Sequence, residues 1–137
     1  MRCLQIEIEL EVPFHDVDVM GIVWHGHYVK YFELARTALM RKAGMDLPEM
    51  LDTHCAWPVV SCELKYLKPL RYAQRVRVEA VLLEFEERLK IAYTIRGEDG
   101  ARLTRGTTVQ LAVDAESGAL CFETPPALVA AIRQALG

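Results

Sequence analysis

Hydrophobic and polar residues alternate along five segments of this chain of 137 residues. In the first segment, residues 4–12, every second position from Leu4 to Leu10 is aliphatic and the positions between them are polar. A period of two is typical of a strand with one buried face, so each segment predicts a strand. The other four predicted strands cover residues 60–66, 75–82, 89–95 and 108–113.

Residues 26–43 follow a helical period instead. Apolar side chains recur there at intervals of three and four residues, at Tyr28, Phe32, Ala35 and Leu39. Leu34 and Ala38 widen this apolar surface, so we expect other structure to cover the helix on most sides. Gly44 is a suitable residue for the turn that ends it.

The order of the elements predicts the fold class. A strand, a long apolar helix and four further strands are followed by a short helix to about residue 136, with Thr124 as its N-cap and Pro125 in its first turn. Turn sequences at residues 97–100 and 114–118 suit an antiparallel meander. We therefore predict an α+β fold, a curved antiparallel five-stranded sheet around one central helix, as a single domain over residues 1–137.

Composition and charge exclude several classes of function. The formal net charge of -3 gives no electrostatic case for nucleic-acid binding. No apolar run is long enough to insert across a membrane, and the N-terminus lacks the apolar core of a signal peptide. The four cysteines have no metal-ligand spacing, so we expect no metal, and buried free thiols in a cytoplasmic protein. The sequence has no G-x-G-x-x-G or Walker A pattern, and we expect no other cofactor.

Candidate chemistry is concentrated just before the long helix. Asp16 and Asp18, the turn residue Gly21 and two histidines, His25 and His27, lie in this short stretch. Backbone N–H groups at a helix start lack partners within the helix, and they can stabilise negative charge that develops on a substrate oxygen. A carboxylate beside them is suited to attack on an acyl carbonyl.

The same stretch carries a resemblance to a known family. The motif F-x-D-x-D-x-x-G-I-V-W-H-x-x-Y at residues 14–28, followed by Y-F-E-x-A-R at residues 31–36, closely resembles the 4-hydroxybenzoyl-CoA thioesterase family of hotdog-fold enzymes. The histidine-bearing form is most similar to the acyl-CoA thioesterase branch associated with bacterial Tol–Pal clusters. The resemblance implies a hotdog fold and hydrolysis of acyl-CoA or acyl-carrier-protein thioesters.

The resemblance also implies roles for particular residues. Asp18 would be the catalytic nucleophile or general base, and His25 would position water, the thioester carbonyl or Asp18. A turn-forming Asp18 and a helix-capping His25 are the structural alternatives. The oxyanion donors would be backbone N–H groups at the helix start, those of Trp24, His25 and Gly26.

The surrounding residues suggest supporting roles. We expect Asp16 to order the loop by accepting hydrogen bonds from backbone N–H groups, and Gly21 to permit either a positive φ or close backbone packing. His15 and His27 are departures from the family pattern, for which we expect no catalytic duty. Glu33 and Arg36 are spaced to form a buried or interfacial ion pair.

Positive charge collects after the second predicted strand begins. Lys65, Lys68 and Arg71, with Arg75 and Arg77 beyond them, form either a solvated surface or a clamp for the phosphates of coenzyme A. The two tryptophans, Trp24 and Trp57, suit either an acyl pocket or the core.

Two other function classes stay open at this point. Related hotdog dehydratases or hydratases use a histidine in a different loop motif, and a non-catalytic module could bind acyl thioesters without cleaving them. The resembled family pairs subunits edge to edge with active sites at the interface. We therefore expect at least a homodimer, with a homotetramer as the larger assembly.

Overall fold

The computed structural model describes residues 3–137. Met1 and Arg2, part of the segment predicted not to be a signal peptide, lie outside this range. The helices are α1 (Tyr28–Lys42), α2 (Leu47–Asp52) and α3 (Pro126–Leu136), and short 3-10 turns form at Phe14–Asp16 and His25–His27. The strands are β1 (Gln5–Glu11), β2 (Cys55–Ala56), β3 (Val59–Tyr66), β4 (Arg75–Glu84), β5 (Leu89–Gly97), β6 (Arg102–Gln110) and β7 (Val113–Asp114).

Five of these strands form one antiparallel sheet in the order β1-β4-β5-β6-β3. This confirms the predicted α+β fold, because α1 follows β1 along the chain and packs against β1 and β4.

The last predicted strand was misplaced. β6 ends at Gln110, and Val113 pairs instead with Ala56 in a separate ribbon of β2 and β7. The polar residues of β6 and its Gly106 hid the true strand from the alternation pattern.

The core lies between α1 and the sheet. Phe32, Ala35 and Leu39 are fully buried, and the Phe32 ring stacks on Tyr93 of β5 with centroids 4.4 Å apart. Leu34 contradicts the expected cover, since 52% of it is exposed on the outer face of α1. The helix is therefore wrapped on one side and open on the other.

The approach to α3 differs from the prediction. The helix starts at Pro126 with Pro125 as its N-cap, and Thr124 does not cap it. The Thr124 hydroxyl donates instead to the Phe85 carbonyl, which ties this segment to the β4–β5 hairpin. Pro125 is extended, with φ of -50° and ψ of 137°, and it takes the N-cap position, so Thr124 lies one residue before the cap. Leu128 and Ile132 anchor the helix to the core.

Strand β3 is the most exposed strand of the sheet. It pairs with β6 on one side, and the part of the chain that the structure describes places no strand on its other side. Val60 and Tyr66 are 54% and 46% exposed, which contradicts the buried face predicted for this strand. An edge strand with apolar side chains is a ready site for pairing with another chain.

The cysteines are free, but they are not uniformly buried. Cys3 and Cys62 are exposed, which contradicts the prediction of buried thiols, and Cys62 is exposed because α1 packs mainly against β1 and β4 and not against β3. Cys55 and Cys121 are half-buried, with their Sγ atoms 3.9 Å apart. Burial raises the pKa of the Cys55 thiol, and its contact with Cys121 adds to this effect.

Candidate active site

The segment between β1 and α1 contains a tight hairpin with Asp18 near its tip. The Asp18 N–H donates to the Ile22 carbonyl at 2.9 Å, and the Gly21 N–H donates to the Asp18 carbonyl at the same distance. Gly21 has φ of +76°, one of the two predicted alternatives and a backbone conformation that costs other residues free energy. The hairpin thus depends on glycine at this position.

The Asp18 carboxylate is exposed in the single subunit. Its Oδ1 accepts a hydrogen bond from the Met20 N–H at 2.8 Å, as a turn-forming aspartate does. Its Oδ2 has no hydrogen-bond donor among residues 3–137, and no hydrogen bond joins Asp18 to His25 there. One carboxylate oxygen therefore holds the turn and the other is free for chemistry.

Asp16 has different surroundings from those predicted. It is 1% exposed, its Oδ2 accepts from the Tyr31 hydroxyl at 2.6 Å, and its Oδ1 forms an ion pair with Lys30. Its carboxylate thus bonds side chains of α1 and not backbone N–H groups, which corrects the prediction. His15 lies at the exposed rim, with Nε2 3.6 Å from the same carboxylate.

The electrostatics of Asp16 favour its charged form. Burial raises the pKa of the carboxyl, but the hydrogen bonds from Lys30 and Tyr31 outweigh it and the net pKa lies below the ordinary value. Burial, followed by the neighbouring Asp16 carboxylate, raises the pKa of Tyr31. Lys30 and Tyr31 were not predicted as site residues. Tyr31 appeared in the sequence only as the first residue of the Y-F-E-x-A-R motif, and Lys30 only as a lysine in the first turn of the helix.

The start of α1 leaves two backbone donors free. The Trp24 N–H donates to the Asp16 carbonyl at 3.1 Å, so Trp24 is not an oxyanion donor in this structure and its predicted role is corrected. The N–H groups of His25 and Gly26 have no acceptor within the described residues. These two groups are therefore the ones able to receive an oxygen that gains negative charge.

Aromatic rings enclose this helix start. The Trp24 ring lies 4.9 Å from the His25 ring and 5.3 Å from the His27 ring, measured between centroids. A Cβ atom on Gly26 would lie 2.1 Å from the Trp24 indole, so only glycine allows the ring to fold over this peptide. The side chain of His25 is exposed, and its contact is the Trp24 ring.

The basic residues lie at different distances from the hairpin. The backbone of Arg71 forms an antiparallel bridge with Ile22, which places this residue directly beside the Asp18 hairpin. Lys65 lies on β3 opposite Arg105, and Lys68 follows the strand end. The three side chains predicted to bind phosphate are exposed, and of these residues only Arg71 contacts the hairpin through its backbone.

Glu33 and Arg36 form the predicted ion pair at 3.3 Å, but Glu33 is exposed and the pair is not buried. Arg36 also borders an apolar groove with a volume of about 570 Å³, formed mainly by α1, α2 and the segment before β3. Trp57 is half-buried in its wall. Methionine and leucine side chains form much of the remaining lining: Met40, Met45, Met50, Leu47, Leu51 and Leu89.

The described residues offer neither a metal site nor a membrane-spanning helix. Across residues 3–137, no three His, Cys, Asp or Glu side chains lie where they could jointly hold a metal ion. In the same range, none of the helices has the length and apolar character needed to cross a membrane.

Comparison with known proteins identifies the family. The model of the thioesterase-like superfamily matches residues 12–134. The chain belongs to this superfamily. The resemblance of residues 14–36 is thereby confirmed, and the match extends over nearly the whole hotdog domain.

Relatives of this superfamily member carry related names. YneP of Bacillus subtilis, a candidate acyl-CoA thioesterase, is 31% identical over 110 residues, which is 80% of each protein. A candidate esterase of Synechocystis sp., sll0410, is 31% identical over 122 residues, or 88% of this chain and 74% of that protein. YbgC of Escherichia coli, an acyl-CoA thioester hydrolase, is a more distant relative. It is 26% identical over 70 residues, about half of each chain.

A solved structure matches the fold of this superfamily member. The DHNA-CoA thioesterase of Staphylococcus aureus superposes with a TM-score of 0.80 at 25% identity, covering 86% of this chain and 80% of that one.

Proposed function

We propose that this superfamily member hydrolyses acyl-CoA thioesters, with Asp18 as the catalytic carboxylate. The observation that carries the proposal is the pair of unpartnered N–H groups at His25 and Gly26, which follow the hairpin bearing Asp18. Together they supply the two functions that acyl transfer needs, an attacking or activating carboxylate and donors for the oxyanion.

The reaction follows from the chemistry of a thioester. As a nucleophile, the Asp18 carboxylate attacks the acyl carbon, the C–S bond breaks and coenzyme A leaves as a thiolate that takes a proton. Water then hydrolyses the acyl-aspartyl anhydride to the free acid. As a general base, Asp18 instead takes a proton from the water that attacks the acyl carbon, the C–S bond then breaks, and the proton passes to the departing thiolate. Both routes place negative charge on the carbonyl oxygen, beside the free N–H groups.

The nearby residues take supporting roles in this proposal. Gly21 permits the turn that presents Asp18, and Asp16 fixes the base of the hairpin to α1 through Lys30 and Tyr31. His25 contributes its backbone N–H, and its exposed imidazole is free to contact the thioester or the attacking water.

Arg71 is the strongest candidate for binding the phosphates of coenzyme A. It adjoins the hairpin through its backbone, and a guanidinium binds phosphate through paired hydrogen bonds. Lys65 and Lys68 lie further along the same basic segment and would add charge. An acyl-carrier protein is the alternative carrier, because its phosphopantetheine arm presents the same thioester.

The cytoplasmic location expected from the sequence stays a prediction.

We further propose that two subunits pair through β3 and complete the site, with a tetramer as the larger assembly. The exposed apolar residues of β3 support this pairing. In an antiparallel pair of β3 strands, the end near Trp57 in one subunit would approach the end near Tyr66 in its partner. The apolar groove beside Trp57 would then face the helix start of the other subunit and could take the acyl group.

Release of free thiol from a panel of aliphatic and aromatic acyl-CoAs tests the activity. We expect turnover of at least one member of the panel, with the rate proportional to enzyme concentration. Tight binding of acyl-CoAs without thiol release would instead indicate a binding module. Formation of an enoyl product from a 3-hydroxyacyl-CoA would indicate a dehydratase.

A further inference from the structure

Tyr66, the last residue of β3, contacts His25 in the turn that precedes α1. Its hydroxyl donates a hydrogen bond to the His25 carbonyl at 2.9 Å, although 41 residues separate the two positions in the chain. The Tyr66 ring also packs edge-on against Tyr28, with centroids 4.8 Å apart. The ring contact gives the hydroxyl a defined position at the carbonyl.

This carbonyl shares a peptide unit with one of the free donors. The His25 C=O and the Gly26 N–H belong to the same planar group, and no cis peptide bond occurs in the described chain. In a trans peptide the two groups point in opposite directions, so holding the oxygen also aims the N–H. A hydrogen bond accepted by the carbonyl further polarises the amide and makes its N–H a stronger donor.

We propose that Tyr66 is a positioning residue that orients and polarises the Gly26 N–H for the oxyanion of the thioester reaction. This inference rests on the proposed function. Burial, followed by the nearby Cys62, raises the pKa of Tyr66, so the hydroxyl stays protonated and able to donate at neutral pH. The Trp24 ring restrains the same peptide, because it lies against the Gly26 Cα where a side chain would otherwise be.

The position of Tyr66 has a consequence for assembly. β3 is the edge of the sheet with exposed apolar side chains, so the strand that would pair with a second subunit also holds the oxyanion peptide. Subunit pairing through β3 would therefore stabilise the orientation of the Gly26 N–H.

The test is Tyr66→Phe, which removes the hydroxyl and keeps the ring. We expect kcat for the best acyl-CoA to fall about 3- to 10-fold with KM changed less than about two-fold, since a donor is misaligned but not removed. The matched control is Tyr72→Phe. Tyr72 is also exposed, and its hydroxyl has no hydrogen-bond partner within residues 3–137, so its kcat should be unchanged.

A spectroscopic measurement separates this inference from the proposed function. In Tyr66→Phe the Gly26 amide proton should shift upfield in a ¹H–¹⁵N spectrum, and it should stay in place in Tyr72→Phe. If the wild-type protein cleaves no thioester, the proposed function fails while this shift still reports the hydrogen bond. If the wild type is active, an unchanged kcat in Tyr66→Phe, or a change confined to KM, would overturn the positioning role.

Discussion

Asp16 and Asp18 lie on the same loop with Val17 between them, yet their surroundings are opposite. Asp16 is buried and bound by two side chains of α1, whereas Asp18 is exposed at a hairpin tip with one oxygen free. The extended backbone of Val17 separates the fixed base of the hairpin from its tip. The contrast shows how the Asp18 carboxylate can be positioned without an ion pair of its own, because Asp16 forms the bonds that fix the loop to α1.

Replacing Asp16 should produce the largest loss of stability in this loop. Asp16→Asn removes the charge that pairs with Lys30 and weakens the bond from Tyr31, and we expect a loss of about 2 kcal/mol. The melting temperature should fall by about 5–10 °C for a domain of this size. In the same thermal melt, the melting temperature of Asp18→Asn should fall by less than about 2 °C. Equal effects of the two substitutions would remove the distinction drawn between them.

The stability that Asp16 contributes to the folded protein should depend on pH. The pKa of Asp16 is lowered in the folded state, so its stabilising effect is present above the unfolded value of about 3.9 and is lost as pH falls through the folded pKa. Urea unfolding of the wild type and Asp16→Asn should therefore give a constant difference between pH 5 and 7. The difference should shrink below about pH 4. A difference that grows towards acid pH would contradict the charged state of Asp16.

Gly21 provides a way to disturb the hairpin tip alone. Gly21→Ala places a side chain at φ of +76° and should cost about 1 kcal/mol. Gly100→Ala is a matched control, because Gly100 has φ of +83° in the β5–β6 turn. Both variants should lose similar stability in urea unfolding. Only Gly21→Ala should lower kcat, so equal activity in the two variants would argue against a role for the hairpin geometry.

Arg71 should show the smallest effect, confined to binding. Arg71→Gln should raise KM for an acyl-CoA about 3- to 10-fold and leave KM for the matching acyl-pantetheine unchanged, because the latter lacks the nucleotide phosphates. Arg88→Gln, a similar change at the distant β4–β5 hairpin, is the control. A KM increase for both substrates would place Arg71 at the acyl or pantetheine end instead.

Much of the fold followed from periodicity, as α1 and β1 illustrate. Both elements bury a regular apolar face, so their spacing was visible in the sequence. The alternation in β3 predicted a buried face wrongly, because α1 packs mainly against β1 and β4 and leaves the apolar residues of β3 exposed. β6 was misplaced because its buried positions include Thr104 and Thr108, whose polarity obscured the alternation.

The candidate site was predictable where it depends on local backbone. Gly21 was predicted to permit either a positive φ or close backbone packing, and the structure shows the positive φ, with no atom within 4 Å of a Cβ placed there. The partners of Asp16 were not predictable, because Lys30 and Tyr31 are 14 and 15 residues away and meet it only once α1 packs. The Trp24 N–H was assigned as a free donor for the same reason, since its acceptor on Asp16 depends on how the loop folds back.

The most direct test of the central claim is kcat for Asp18→Asn on the acyl-CoA that the wild type cleaves fastest. Asparagine keeps an oxygen that can accept from the Met20 N–H, so the hairpin should persist while the attacking or proton-accepting oxygen is lost. We expect kcat to fall by about 10²- to 10⁴-fold, with the melting temperature lowered by no more than about 2 °C. Turnover close to that of the wild type, in a folded variant, would contradict the assignment of Asp18 as the catalytic carboxylate.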